Sequence, residues 1–228
     1  MVAHGPVNAP DFRSEERWER LDPNGPSRID WLLPVTADRL VVLLGAFDPP
    51  TNAHVSIARA ASIREEAAAV LGMTKVLLDR PDDVLLPISE RIALLDAIAQ
   101  DEGFGLFLAN RGTYLDVERA LSVDGRETAF VVGADKLEQL ADPKFYTEGD
   151  AGVSATFSEV RFLVVPRSGG VISRTDVEVM DPAEAFAGAG GGDVSGTEVR
   201  RRLRVGEPID ELVPPAVALA LRGYTAAR

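Results

Sequence analysis

Short apolar runs alternating with helix-like stretches predict an α/β fold: a doubly wound parallel sheet with helices on both faces, in a single domain. Three observations carry that expectation. The run Arg39–Leu44 (RLVVLL) is apolar without alternation, as a parallel strand buried on both faces requires. Similar short runs recur after it, each separated by enough chain for a helix. The turn after the first run is rich in Gly and Pro, the punctuation of a strand-to-helix corner.

The elements follow in order. Residues 1–37 are rich in Pro, Asn, Gly and charge, and read as an N-terminal extension partly ordered around Trp18 and Trp31. Residues 38–228 form the domain. After the strand at 39–44, the Ala-rich stretch Ala53–Leu71 is expected to be helical and Lys75–Leu78 a strand. Ser89 is a candidate N-cap for a helix through Ala99. Gly105–Ala109 reads as the third strand, Leu115–Leu121 as a helix, Ala129–Val132 as the fourth strand, and 135–140 as a helix. Residues 141–157 read as a loop, Arg161–Val165 as the fifth strand and Val177–Met180 as a sixth. Gly188–Gly192 is a flexible loop. Ser195 or Thr197 then caps a helix through Val205, and Pro215–Gly223 forms the last helix. This is a Rossmann-like order. Ligands in such sheets bind beyond the carboxyl ends of the strands at the switch point, so the residues just after strands one and four come first.

Composition narrows the chemistry. The 228 residues carry 36 acids against 24 bases, a net charge of −12, which disfavours nucleic acid as a partner. No cysteine is present, so disulfides, thiol nucleophiles and zinc–thiolate sites are excluded, and two histidines exclude a histidine-rich metal site. No apolar run approaches the ~18 residues of a membrane span. The first residues lack a basic start followed by an apolar stretch, so they do not read as a signal peptide, and the expected address is the cytoplasm. Charge is uneven: residues 198–228 hold six Arg and four acids, and Arg200, Arg201, Arg202 and Arg204 cluster there. That cluster is either a solvated helix face or a site for a small phosphorylated ligand.

The loop Gly45–His54 (GAFDPPTNAH) runs straight into a helix. Gly45 allows close backbone approach, the prolines stiffen the turn, and the helix start offers N–H groups to an anion. Thr51 and His54 would sit near that anion. The order G-x-F-D-P-x-T-x-x-H resembles the nucleotidylyltransferase superfamily with an (H/T)-x-x-H signature. Within it, the chain is most similar to nicotinate and nicotinamide mononucleotide adenylyltransferases. The segments Gly133-Ala134-Asp135, after strand four, and Ser195-Gly196-Thr197-Glu198-Val199-Arg200 match two further family motifs, with Gly196 replacing a Ser. The resemblance covers about residues 39–224.

The resemblance implies an ATP site formed by Gly45, Ala46, Phe47, Thr51, His54, Gly133, Asp135, Ser195, Thr197 and Arg200, with His54, Thr51 and Arg200 catalytic. It implies a mononucleotide site formed by Phe47, Asp48, Thr113, Tyr114 and Tyr146. Tyr146 falls where the family carries a Trp that stacks on the pyridine ring; it either stacks or packs against the domain. Asp48 either assists through water or merely fixes the turn, and Arg91 reads as structural. The expected reaction is transfer of AMP from ATP to nicotinate or nicotinamide mononucleotide in NAD biosynthesis. Mg²⁺ arrives on the ATP, no metal is held by the protein, and a homo-oligomer is left open. A different nucleotide or acceptor, or a non-catalytic nucleotide-binding protein, are the alternatives. The acceptor half departs from the family: no Lys occurs between Lys75 and Lys136, Asp82 and Asp83 stand where a phosphate is expected, and Leu115 breaks an (S/T)-Y-T segment. Arg80 or Arg111 are the candidate substitutes.

Overall fold

Arg39–Leu44 forms β2, the middle strand of a seven-stranded sheet. Its alternate side chains feed two cores, Val41 and Leu43 on one face and Leu40 and Val42 on the other, which is why the run is apolar throughout. The computed structural model describes residues 12–76, 84–166, 172, 174–189, 194–222 and 224. Its elements are α1 (Phe12–Glu19), β1 (Ile29–Leu33), β2, α2 (Asn52–Glu65), β3 (Ala68–Thr74), α3 (Ile88–Glu102), β4 (Gly105–Ala109), α4 (Tyr114–Leu121), β5 (Glu127–Gly133), α5 (Ala134–Leu140), α6 (Asp150–Glu159), β6 (Phe162–Val165), β7 (Glu178–Val179), α7 (Pro182–Ala185), α8 (Gly196–Val205) and α9 (Pro215–Leu221).

The strand order is β1-β4-β3-β2-β5-β6-β7, parallel except for β1, which pairs antiparallel with β4. The chain winds outward from β2 through β3 to β4, then returns to β5 on the other side of β2 and winds outward again. The predicted doubly wound single α/β domain is therefore what forms, and its switch point lies between β2 and β5. Core residues of α2, α3, α8 and α9 cover one face, and those of α4 and α5 cover the other. No helix among the described residues is long and apolar enough to cross a membrane.

Three expected elements are corrected. The helix expected through Leu71 ends at Glu66, whose left-handed backbone (φ 49°, ψ 46°) closes the last turn. Ala68–Thr74 (AAVLGMT) is instead β3, so the strand lies before, not at, the predicted Lys75–Leu78, of which 77 and 78 fall outside the described residues. Alanine's helix preference amounts to only a few tenths of a kcal/mol over most residues, and burial between β2 and β4 overrides it. Second, Ser89 lies inside the first turn of α3, behind Pro87. Third, the loop expected at 141–157 holds a 3-10 turn, Pro143–Phe145, and most of α6. Part of the expected Gly188–Gly192 loop also falls outside the described residues.

The N-terminal segment is tied to the sheet by named contacts. Asn110, 3% exposed, donates through Nδ2 to the Asp22 and Pro26 carbonyls at 2.7 and 2.9 Å. Its Oδ1 accepts from the Arg28 amide at 2.7 Å. Arg17 bridges to Asp30 and to the Trp31 carbonyl, and Lys75 Nζ donates to the Trp18 carbonyl at 2.9 Å, joining α1, β1 and the end of β3.

Candidate active site

The switch point places the turns after β2 and β5 side by side. In the first, Phe47 has a left-handed backbone (φ 47°), a conformation that costs a non-glycine residue roughly 1–3 kcal/mol. Its buried ring folds back over Gly45, where a Cβ would lie 3.2 Å from the ring, a tight contact that glycine avoids. Three side chains hold the strained turn. Arg91 on α3 donates to the Ala46 carbonyl at 3.0 Å. The buried Asp48 carboxylate accepts from the Leu85 and Leu86 amides at 2.7 and 2.8 Å. Arg200 on α8 donates to the Asp48 carbonyl at 2.6 Å. Burial lowers the Arg91 pKa and the Asp48 charge opposes that shift.

Thr51, fully buried, is the N-cap of α2, and His54 is its third residue. The Thr51 amide donates to His54 Nδ1 at 2.9 Å, and the His54 amide donates to Thr51 Oγ1 at 3.4 Å. This reciprocal cap uses the one lone pair of Nδ1, so a neutral His54 carries its proton on Nε2 and acts as a donor. The Thr51 hydroxyl lies 2.8 Å from the same Nδ1 and donates to the Val194 carbonyl at 3.3 Å, which binds the start of α2 to the segment before α8.

At that segment Ser195 is the N-cap of α8 and accepts from the Glu198 amide at 3.2 Å. Thr197 Oγ1 accepts from Arg200 Nη2 at 3.0 Å. A Cβ on Gly196 would come within 3.2 Å of the Asp48 carbonyl and 3.4 Å of Arg200, so the departure from Ser at this position fits the close approach of the two loops. Of the basic cluster, Arg200 turns toward the first loop. Arg201 and Arg202 pair with Glu198, whose carboxyl they hold down at about 2.

A cleft of about 530 Å³ opens at the carboxyl ends of β2, β5 and β6 against α5, lined by His54, Tyr114, Gly133, Asp135, Lys136 and Phe145 among others. The expected residues Gly45, Ala46, Phe47, Asp48, Thr51, Ser195, Thr197 and Arg200 make up the adjoining turn and helix start, joined to the cleft through His54. Thr113 is the N-cap of α4, bonded to Asp116. Tyr114 presses its ring edge-on to Phe130 and Phe162; burial, then the charge of Asp135, pushes its phenol pKa well up.

Tyr146 turns inward: its hydroxyl donates to the Leu140 carbonyl at 2.8 Å and its side chain packs on Gly152. The ring that faces the cleft belongs to the residue before it, Phe145, with Lys144 Nζ 4.8 Å from its centre. Of the two roles the sequence leaves open for Tyr146, stacking or packing against the domain, the inward packing on α6 corresponds to the second. Of the substitutes for the missing lysine, Arg111 donates to the Gly25 carbonyl at 3.1 Å and Arg80 lies outside the described residues. The lysines at the cleft, Lys136 and Lys144, come from the α5 side, which a search of the segment after β3 passes over.

Among the described residues no group of three His, Asp or Glu side chains could hold a metal ion. The Asp48 carboxylate is occupied by two amides.

The sequence profile of the Cytidylyltransferase-like family matches residues 42–202. The chain is 27% identical over 191 residues to a probable nicotinate-nucleotide adenylyltransferase of Coprothermobacter proteolyticus, covering 81% of this chain and 92% of that one. It is 29% identical over 191 residues to a protein of the same description from Salinibacter ruber, covering 76% and 89%. Among solved structures it resembles the Plasmodium falciparum nicotinic acid mononucleotide adenylyltransferase complexed with NaAD, with a TM-score of 0.59 at 15% identity over 82% of this chain and 96% of that one. The same enzyme complexed with APC gives 0.58 at 14% identity, with the same coverage.

Proposed function

The chain belongs to the cytidylyltransferase-like family, and from that premise we propose that this nucleotidyltransferase transfers AMP from Mg·ATP to a pyridine mononucleotide. The names of its relatives favour the nicotinate over the nicotinamide form. The product would be a dinucleotide of NAD biosynthesis, made in the cytoplasm.

One observation carries the reading. Two helix starts, at Thr51–His54 and Ser195–Arg200, are hydrogen-bonded together at the sheet's switch point, beside the Gly133–Asp135 turn. Helix starts and an Arg fork favour phosphate oxygens, and the adjoining cleft has room for a nucleoside.

In the proposed reaction the acceptor's 5′-phosphate oxygen attacks the α-phosphorus in line. A new P–O bond forms, the bond to the β-phosphate bridge breaks, and the electron pair leaves with pyrophosphate. The side chains position and neutralise rather than bond covalently. His54 donates from Nε2 to phosphate oxygens as charge builds on them. Thr51 fixes the ring, Arg200 steadies the leaving pyrophosphate, Asp135 holds a ribose hydroxyl and Phe145 offers a face to the pyridine ring. Mg²⁺ comes with ATP and offsets charge on its phosphates.

A second reading is supported by the scarcity of basic side chains where the acceptor phosphate is expected: another acceptor, or CTP as donor. Pyrophosphate release measured with ATP and CTP, each crossed with nicotinate mononucleotide, nicotinamide mononucleotide and phosphopantetheine, separates the readings. Turnover with ATP and a pyridine mononucleotide is the expected result. Turnover only with CTP or phosphopantetheine replaces this reading by the second, and ATP binding without turnover makes the chain a non-catalytic nucleotide-binding protein.

A further inference from the structure

The peptide group between Leu85 and Leu86 is gripped from both ends. Its carbonyl accepts from the Tyr224 hydroxyl at 2.8 Å, and its N–H donates to Asp48 Oδ1 at 2.8 Å. The two bonds polarise the same amide in the same direction, from phenol to carbonyl and from N–H to carboxylate, so each strengthens the other. The second Asp48 oxygen accepts from the Leu85 amide at 2.7 Å. Tyr224 is itself fixed, its amide donating to the Leu221 carbonyl at the end of α9 at 3.0 Å. A continuous line of hydrogen bonds thus runs from residues near the C-terminus to the turn that carries the left-handed Phe47.

We propose that Tyr224 is a positioning residue for adenylyl transfer: through the Leu85–Leu86 peptide it holds the Asp48 carboxylate, and with it the strained Gly45–Pro50 turn, in the working geometry. The proposal rests on the adenylyl-transfer reading. It assigns Asp48 to the same task, in place of contact with the mononucleotide. Phe47 keeps its backbone only while its surroundings over-determine it, so slackening one of the ties lets the turn relax and moves His54 with it, since the two rings meet edge-on at 5.2 Å.

Tyr224→Phe keeps the ring and its packing and removes only the hydroxyl. Its kcat should fall roughly three- to tenfold, the range one net hydrogen bond commands. KM for both substrates should stay within about twofold and the fold should be retained. Asp48→Asn should lose more, and the double variant should be no slower than Asp48→Asn alone, because both act through one peptide. Amide exchange at Leu86, followed by NMR, should accelerate in Tyr224→Phe by a factor similar to the loss in kcat. If the wild-type chain turns over no mononucleotide, the adenylyl-transfer reading fails on its own, and the relay is then judged by the Leu86 exchange rate alone. An unchanged kcat in Tyr224→Phe, additive effects in the double variant, or unchanged Leu86 exchange overturns the proposal.

Discussion

His54 Nδ1 accepts the backbone N–H of Thr51 at 2.9 Å, so the same ring that caps α2 presents a protonated Nε2. Structure and chemistry are coupled in one side chain. His54→Ala should lower turnover by roughly 10²–10⁴-fold through the lost phosphate donor. It should also cost about 1 kcal/mol of stability through the lost cap. Steady-state kinetics with urea unfolding separates the two effects. Wild-type-like turnover in a folded His54→Ala variant sinks the assignment.

Phe145 and Tyr146 make opposite predictions although they are neighbours. Phe145→Ala removes the ring on the cleft and should raise KM for the mononucleotide about tenfold, the worth of roughly 1–1.5 kcal/mol of aromatic stacking. Tyr146→Phe leaves the cleft untouched. It strands the Leu140 carbonyl, so it should lower stability by about 1 kcal/mol with KM unchanged. If Tyr146→Phe shifted KM while Phe145→Ala did not, the placement of the pyridine ring would be reversed.

Asn110 tests how far the N-terminal segment belongs to the domain. Its amide group makes three hydrogen bonds to residues 22–28 from a buried position at the end of β4. Asn110→Ala should cost about 2–4 kcal/mol, since buried partners are left unsatisfied. The measurement is the denaturant midpoint, together with the near-ultraviolet signal of Trp31, which stacks edge-on to Phe107. A midpoint within error of wild type would mean that residues 22–28 sit loosely on the sheet.

Much of this architecture was legible in the chain. RLVVLL announced its own burial on both faces, and the switch-point argument directed attention to the turns after β2 and β5 before any geometry was known. What stayed hidden depended on contacts distant in sequence. Ala68–Leu71 (AAVL) looks helical because alanine favours helices, and it becomes part of a strand because neighbours on both sides bury it. Asp48 reads either as a helper through water or as a residue that fixes the turn, and its bonds to the Leu85 and Leu86 amides, 37 and 38 residues away, are not visible in the local pattern. Edge strand β1 is short, and it pairs antiparallel with β4 in an order that no local pattern encodes.

The α8 start carries a charge cluster whose pH dependence can be isolated. Arg201 and Arg202 bond the Glu198 carboxylate and hold its pKa down at about 2, against an ordinary 4.5. A carboxylate with a folded pKa below its unfolded value contributes stability that is fully present above about pH 4.5 and is lost as the pH falls toward 2. Glu198 is on the surface, so the contribution is small and salt should screen it. Other paired acids, Glu159 and Glu178 among them, are held down in the same way, so wild type alone cannot apportion the loss. The difference between wild type and Glu198→Gln can. Between pH 5 and pH 3 the urea midpoint of wild type should fall further than that of Glu198→Gln, and the gap should narrow in 1 M salt, where charges are screened within about 3 Å. Parallel pH profiles for the two proteins would show that the arginines beside Arg200 are solvated rather than paired.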